Sequence, residues 1–160
     1  MRGSAPVRVF LDASCWVAAA GSPEGGSSMI IRLSQAGFVK IVATRRILLE
    51  AERNVGEKMG EEALSRLYRL FLEADMELVE EASEADELMW EDLAPRKELH
   101  VLAGAYKGRA DVLVSLDKRH ILMERVGDGF LPVRSPGEFL REIAEGIEGE
   151  EGEGCDRGAC

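Results

Sequence analysis

At 160 residues, 46% of them hydrophobic, the chain fits one domain and can bury a core. No apolar run approaches the ~20 residues of a membrane span, and the stretch after the N-terminal Met1-Arg2-Gly3-Ser4-Ala5-Pro6 meets charge too soon for a signal peptide, so a soluble cytoplasmic protein is expected. The formal net charge is −10, with seven acids and one Arg in residues 142–160, so the weakly acidic body can meet a polyanion only where bases cluster or acids hold cations.

Val7–Leu11 reads as a strand ending at Asp12. Ser22–Ser28 is turn-forming, and Ser27 or Ser28 is a candidate cap for a helix carrying Met29, Ile30, Leu33 and Ala36, which Gly37 closes. Phe38–Ala43 is a second strand, and Thr44 caps a helix to about Val55. Leu64, Leu67, Leu70, Phe71 and Ala74 share one face of an amphipathic helix over Glu61–Asp75. Met76–Val79 is a short strand, and Ser83–Trp90 a helix with Ser83 and Asp86 in capping-box spacing. Pro95 opens a helix to about Tyr106. Val112–Leu116 is an apolar run of the buried parallel type, and Leu131-Pro132-Val133 an edge strand because Pro removes a ladder donor. Ser135 starts a last helix ending near Ile143 or Ile147, and the Gly-Glu repeats beyond it predict a disordered tail.

Alternating strands and helices predict an α/β fold: a three-layer α/β/α sandwich on a central, mostly parallel sheet. Sites in such sheets gather at the carboxyl ends of the strands, where Asp12 and Asp117 each follow an apolar strand. Each also has a plain structural reading as a helix N-cap. Glu50 lies in the apolar stretch Ile47-Leu48-Leu49-Glu50-Ala51, whereas Glu52 is the natural solvent-facing acid. A Glu beside an inward face is costly unless paired or metal-bound. Glu98 begins a helix, where the macrodipole favours an acid in any case.

Val9-Phe10-Leu11-Asp12-Ala13-Ser14, Thr44-Arg45-Arg46-Ile47-Leu48-Leu49-Glu50, Glu98 to Ala105, and Ala110 to His120 together resemble the four motifs of the PIN domain family over residues 7–140. The run Ala110 to Asp117 is the most specific part of the match. The subgroup it most resembles is the stand-alone proteins related to VapC-type toxins. The resemblance implies a PIN-like domain over residues 1–144, a disordered acidic tail over 145–160, and an endoribonuclease dependent on Mg²⁺ or Mn²⁺. By motif, the catalytic and metal-binding residues are Asp12, Glu50, Glu98 and Asp117, with Ser14, Asp111 and Ser115 in support. Glu98 stands where the family usually has Asp, which shifts what a second ion would meet.

Hard divalent cations prefer carboxylate oxygen, and carboxylates crowded without cations repel one another. Arg45, Arg46, Arg96, Lys97, Lys118 and Arg119 flank the motif acids and are candidates for gripping RNA phosphates; ordinary solvated bases are the alternative. His120 is a candidate acid or base, or a surface spectator; His100, Trp16 and Trp90 read as packing residues. Cys15 reads as core, and Cys155 with Cys160 makes an incomplete zinc pair in the tail. Expected partners are RNA, an antitoxin protein if the chain is the toxin of a type II toxin–antitoxin module, and a second copy through a helix such as Glu61–Asp75. A catalytically weak RNA-binding or assembly module is the alternative function.

Overall fold

The computed structural model describes residues 5–117 and 131–157, the last eleven as helix backbone only. Five strands, β1 (Val7–Leu11), β2 (Val39–Ala43), β3 (Met76–Leu78), β4 (Val112–Val114) and β5 (Val133–Arg134), form one all-parallel sheet in the order β3-β2-β1-β4-β5. The helices are α1 (Ala13–Gly21), α2 (Gly26–Gln35), α3 (Arg45–Lys58), α4 (Glu61–Glu73), α5 (Glu84–Leu88), α6 (Leu99–Lys107) and α7 (Pro136–Arg157), with a 3₁₀ turn at Arg96–Glu98. Helices α1 to α4 pack together as one group and α5 with α6 as another, as an α/β/α sandwich requires.

The central strand β1 is flanked by β2 and β4, with Val9 opposite both Ile41 and Val112. Its Val9, Phe10 and Leu11 are fully buried, as are Ile41 and Leu113 beside them. Strands covered on both faces show apolar runs rather than alternation, which is why β1 and β4 were legible in the sequence. From β1 the chain steps outward to β2 and β3, then returns across β1 to β4 and β5. The order therefore reverses between β1 and β4, and a crevice opens at their carboxyl ends.

Several local expectations hold. The Thr44 hydroxyl caps α3 by accepting from Ile47 N at 3.3 Å. Ser83 and Asp86 form the reciprocal capping box of α5. Gly37 adopts φ 87° just past α2, where a left-handed residue ends the helix. Pro132 precedes edge strand β5 and offers only its carbonyl, which accepts from Leu113 N at 2.9 Å.

Other expectations shift. Helix α1 was foreseen only through its cap, because it is apolar nearly all round and packs against α2, α3 and α4. Helix α2 starts two residues early, with Gly25 as its cap; Ser28 is buried inside it and donates to the carbonyls of Ser22 and Ala19. Pro95 opens a 3₁₀ turn before α6 rather than one continuous helix. Glu52 is half-buried beside the Tyr68 hydroxyl of α4 rather than solvent-facing. Helix α7 runs past Ile143 and Ile147 to Arg157, through residues that read as a disordered tail; Glu is a good helix former, and the backbone continues once Ser135 and Glu138 have paired reciprocally at its start.

Candidate functional site

Asp12 follows β1 directly and caps α1. Its Oδ1 accepts from Ala13 N at 2.7 Å, so the capping reading holds. The same side chain is also at the crevice, because the cap of a helix that starts at a strand end faces the strand's carboxyl side. Its backbone N–H donates to Val114 O at 3.0 Å, tying the end of β1 to the end of β4.

Ser115 lies immediately past β4 and is fully buried. Its Oγ donates to Asp12 Oδ2 at 2.8 Å and accepts from Asp117 N at 3.0 Å. One hydroxyl thus holds the Asp12 carboxylate and turns the chain so that Asp117 follows at the same edge. Ser14 on α1 completes the clamp, its Oγ accepting from Leu116 N at 3.2 Å.

Glu50 comes from the second turn of α3 and Glu98 from the 3₁₀ turn before α6; both are half-buried. Glu98 makes no side-chain capping bond, so the helix-start reading does not account for its carboxylate. Burial raises the pKa of Asp12, against the bonds from Ser115 and Ala13, and Asp117 raises it further. Burial and then the charge of Asp12 raise Glu50. Burial, Asp12, Glu50 and Asp117 raise Glu98, with Lys97 opposing them. Four carboxylates from four separate chain segments therefore share one field centred on Asp12.

The donor set suits a hard divalent cation. Among the described residues no three metal-ligating groups are gathered closely enough to hold one ion.

Beside Glu50 opens a cavity of about 390 Å³ lined by Arg46, Leu49, Glu50, Arg53, Glu81, Lys97 and His100. Arg46 and Lys97 were singled out in the sequence; Arg53 was missed. Arg53 lies three residues past Glu50 on α3, and that helical spacing was the signal that could have found it. Glu81 also escaped notice; its carboxylate accepts from Arg46 N at 2.9 Å in the first turn of α3, where the helix dipole favours an acid. His100 is buried on α6 as a packing residue. Burial and the Arg46 charge push its pKa down to about 4, so its imidazole is neutral at pH 7.

The remaining candidates separate. Arg45 is exposed at the start of α3 and does not line this cavity. Asp111 stands at the opposite end of the sheet, its carboxylate accepting from Arg8 N at 2.8 Å, which is a strand-pairing role remote from Asp12. Lys118, Arg119 and His120 lie outside the described residues. Cys15 is buried, and burial followed by the Asp12 charge pushes its thiol up to about 12, as suits an unreactive core residue.

The sequence model of the PIN domain matches residues 8–119. The chain belongs to the PIN domain family. No curated protein matches it significantly. Among solved structures, this PIN domain is similar to PAE2754 of Pyrobaculum aerophilum, at TM-score 0.58 and 14% identity over 90% of this chain and 94% of that one. It is similar to VapBC2 of Rickettsia felis, solved with a DNA fragment from its promoter, at TM-score 0.57 and 15% identity over 79% and 98% of the two chains. It is also similar to VapC20 of Mycobacterium tuberculosis, a sarcin-ricin loop cleaving toxin, at TM-score 0.54 and 15% identity over 78% and 98%. At such identity the likeness is one of fold. The fold expected from the sequence is the one observed.

Proposed function

We propose that this PIN domain is a divalent-metal-dependent endoribonuclease acting in the cytoplasm, with Asp12, Glu50, Glu98 and Asp117 as its acidic centre. The observation that carries the reading is the shared field of the four carboxylates at the carboxyl ends of β1 and β4. A structural role leaves that convergence unexplained, since each acid raises the cost of the next. Asp12 and Asp117 would hold Mg²⁺ or Mn²⁺ from the strand ends, and Glu50 and Glu98 would close the set from the helices. When bound, the ion supplies Lewis-acid stabilisation of the phosphoryl group and lowers the pKa of the attacking water. Ser115 and Ser14 keep the Asp12 and Asp117 segments in register. Arg46, Arg53 and Lys97 line the cavity next to Glu50 and offer cations to the phosphates flanking the cut. Neutral His100 contributes shape and hydrogen bonding there rather than charge.

The fold shared with a cleaving toxin and with a VapBC pair supports a toxin held silent by an antitoxin. Exposed Tyr68 and Leu72 on α4 support a second copy as a further partner. Glu98, standing where the family usually has Asp, favours one other reading, a catalytically weak module that binds RNA without cutting it.

Cleavage of RNA by the wild type and by Asp12→Asn and Asp117→Asn, with Mn²⁺ and with EDTA, decides between them. Cleavage requiring Mn²⁺ and falling by at least about a hundredfold in both variants is expected. Equal rates in all three proteins would sink the nuclease reading. RNA binding without cleavage in any of them would establish the weak module.

A further inference from the structure

Helices α2 and α4 both pack on α1 but hardly on each other. Between them lies a cavity of about 310 Å³ lined by Ala19, Ser28, Ile31, Arg32, Gln35, Arg66, Arg69, Leu70 and Glu73, with Pro23 at its rim. The lining is two facing helical stripes. Ser28, Ile31, Arg32 and Gln35 recur at i, i+3, i+4 and i+7 on α2, and Arg66, Arg69, Leu70 and Glu73 recur at the same spacing on α4. Ala19 on α1 lies seven residues past Asp12, about 10 Å along the helix, so this groove is separate from the acidic centre.

Its charge is opposite to that of the chain as a whole. Three guanidiniums face one carboxylate in a protein of net charge −10. Among the described residues none of the three is within ion-pair distance of an acid. Two are anchored by backbone: Arg66 Nε donates to Ala20 O at 2.7 Å, and Arg32 donates to Pro23 O. Each anchor occupies only part of a five-donor fork and fixes the guanidinium for a second partner. Glu73 is drawn to the far wall, its carboxylate accepting from Gln35 Nε2 at 3.5 Å. Ile31, Leu70 and Ala19 supply an apolar floor, and Ser28 spends its hydroxyl on backbone carbonyls.

We infer that this groove binds a phosphate group carried by a small ligand with a flat apolar body, of about the size of a nucleoside monophosphate. Guanidiniums lining the groove from both walls match a group that presents several anionic oxygens. The cavity is at the small end of the range for ligand pockets, which suits one ring and one phosphate.

The test is calorimetric titration of the full chain, in EDTA, with AMP and separately with inorganic phosphate. Saturable binding of AMP is expected, weakened about tenfold or more by Arg69→Gln and by Arg32→Gln and retained by Asp12→Asn. Arg69 is exposed and anchors no backbone in the described structure, so its replacement leaves the fold intact, to be verified by an unchanged melting temperature. Inorganic phosphate binding more weakly than AMP supports the apolar seat. Failure of AMP to bind, or binding unchanged in both Arg variants, overturns the inference, as does binding lost with Asp12→Asn, which would place the ligand at the acidic centre.

Discussion

The Ser115 hydroxyl ties the two strand-end acids together. It donates to a buried carboxylate oxygen of Asp12 and accepts from the backbone of Asp117. Ser115→Ala leaves that oxygen short of a donor and costs about 1–3 kcal/mol of stability, measurable by urea unfolding of the metal-free protein. A loss below about 0.5 kcal/mol would show that solvent reaches Asp12 freely. Glu50 makes the charge argument testable. A carboxyl whose folded-state pKa is raised holds its proton more tightly when folded. Its contribution to stability is therefore full below its unfolded pKa and is lost as pH rises through the raised value. In EDTA, the melting temperature of Glu50→Gln should gain on that of the wild type as pH climbs from about 4 towards neutrality. Mn²⁺ at neutral pH should narrow the gap by stabilising the wild type alone. The comparison with Glu50→Gln cancels the contribution of His100, which runs the other way because its pKa is depressed. A gap independent of pH would mean that neither burial nor the Asp12 charge raises the Glu50 pKa.

At the scale of the elements, the end of α6 shows how tightly the sheet is covered. A Cβ on Gly108 would lie 2.8 Å from Val79 Cγ2 and 3.1 Å from Gly104 O, so Gly is needed there for the close approach of the loop after β3. The left-handed residue that ends the helix is the next one, Arg109, at φ 57°. Arg109 N donates to Tyr106 O and Ala110 N to Ala105 O, which is the Schellman pattern with a non-glycine at its strained position. Gly108→Ala should cost about 1–3 kcal/mol. Arg109→Gly should raise stability by up to about 1 kcal/mol, because the bonds of Arg109 among the described residues are made by its backbone, including its carbonyl, which accepts from Arg8 Nε at 3.1 Å, and Gly keeps them. Thermal melts of the two single variants moving in opposite directions would confirm this; a stabilising Gly108→Ala would refute the packing argument.

For the whole molecule, α7 divides by what it touches. Phe139 is buried, and Leu140 and Ile143 pack against the core. A chain ending at residue 145 keeps all three and sheds five of the acids. We expect it to melt within about 3 °C of the full chain, a shift corresponding to about 1 kcal/mol for a domain of this size, and to keep any RNA cleavage. Ending the chain at residue 137 should instead expose the core and unfold it. Equal destabilisation by the two truncations would assign the tail a structural role.

Much of the fold was open to reading because it rests on local rules. Buried parallel strands are apolar runs, caps are Thr44 and Ser83, and breaks are Gly37 and Pro95, each acting within a few residues. Asp12 and Asp117 were legible as strand-end acids for the same reason, and the PIN motifs named Glu50 and Glu98. The reversal of strand order between β1 and β4 was not legible, since hydrogen-bond partners lie about a hundred residues apart. That reversal brings four acids from distant segments into one field. The chain by itself determined which residues carry charge at the ends of its strands. Only the tertiary structure decided which of those charges must bear one another's repulsion, because Coulomb energy depends on distance through space and not along the sequence.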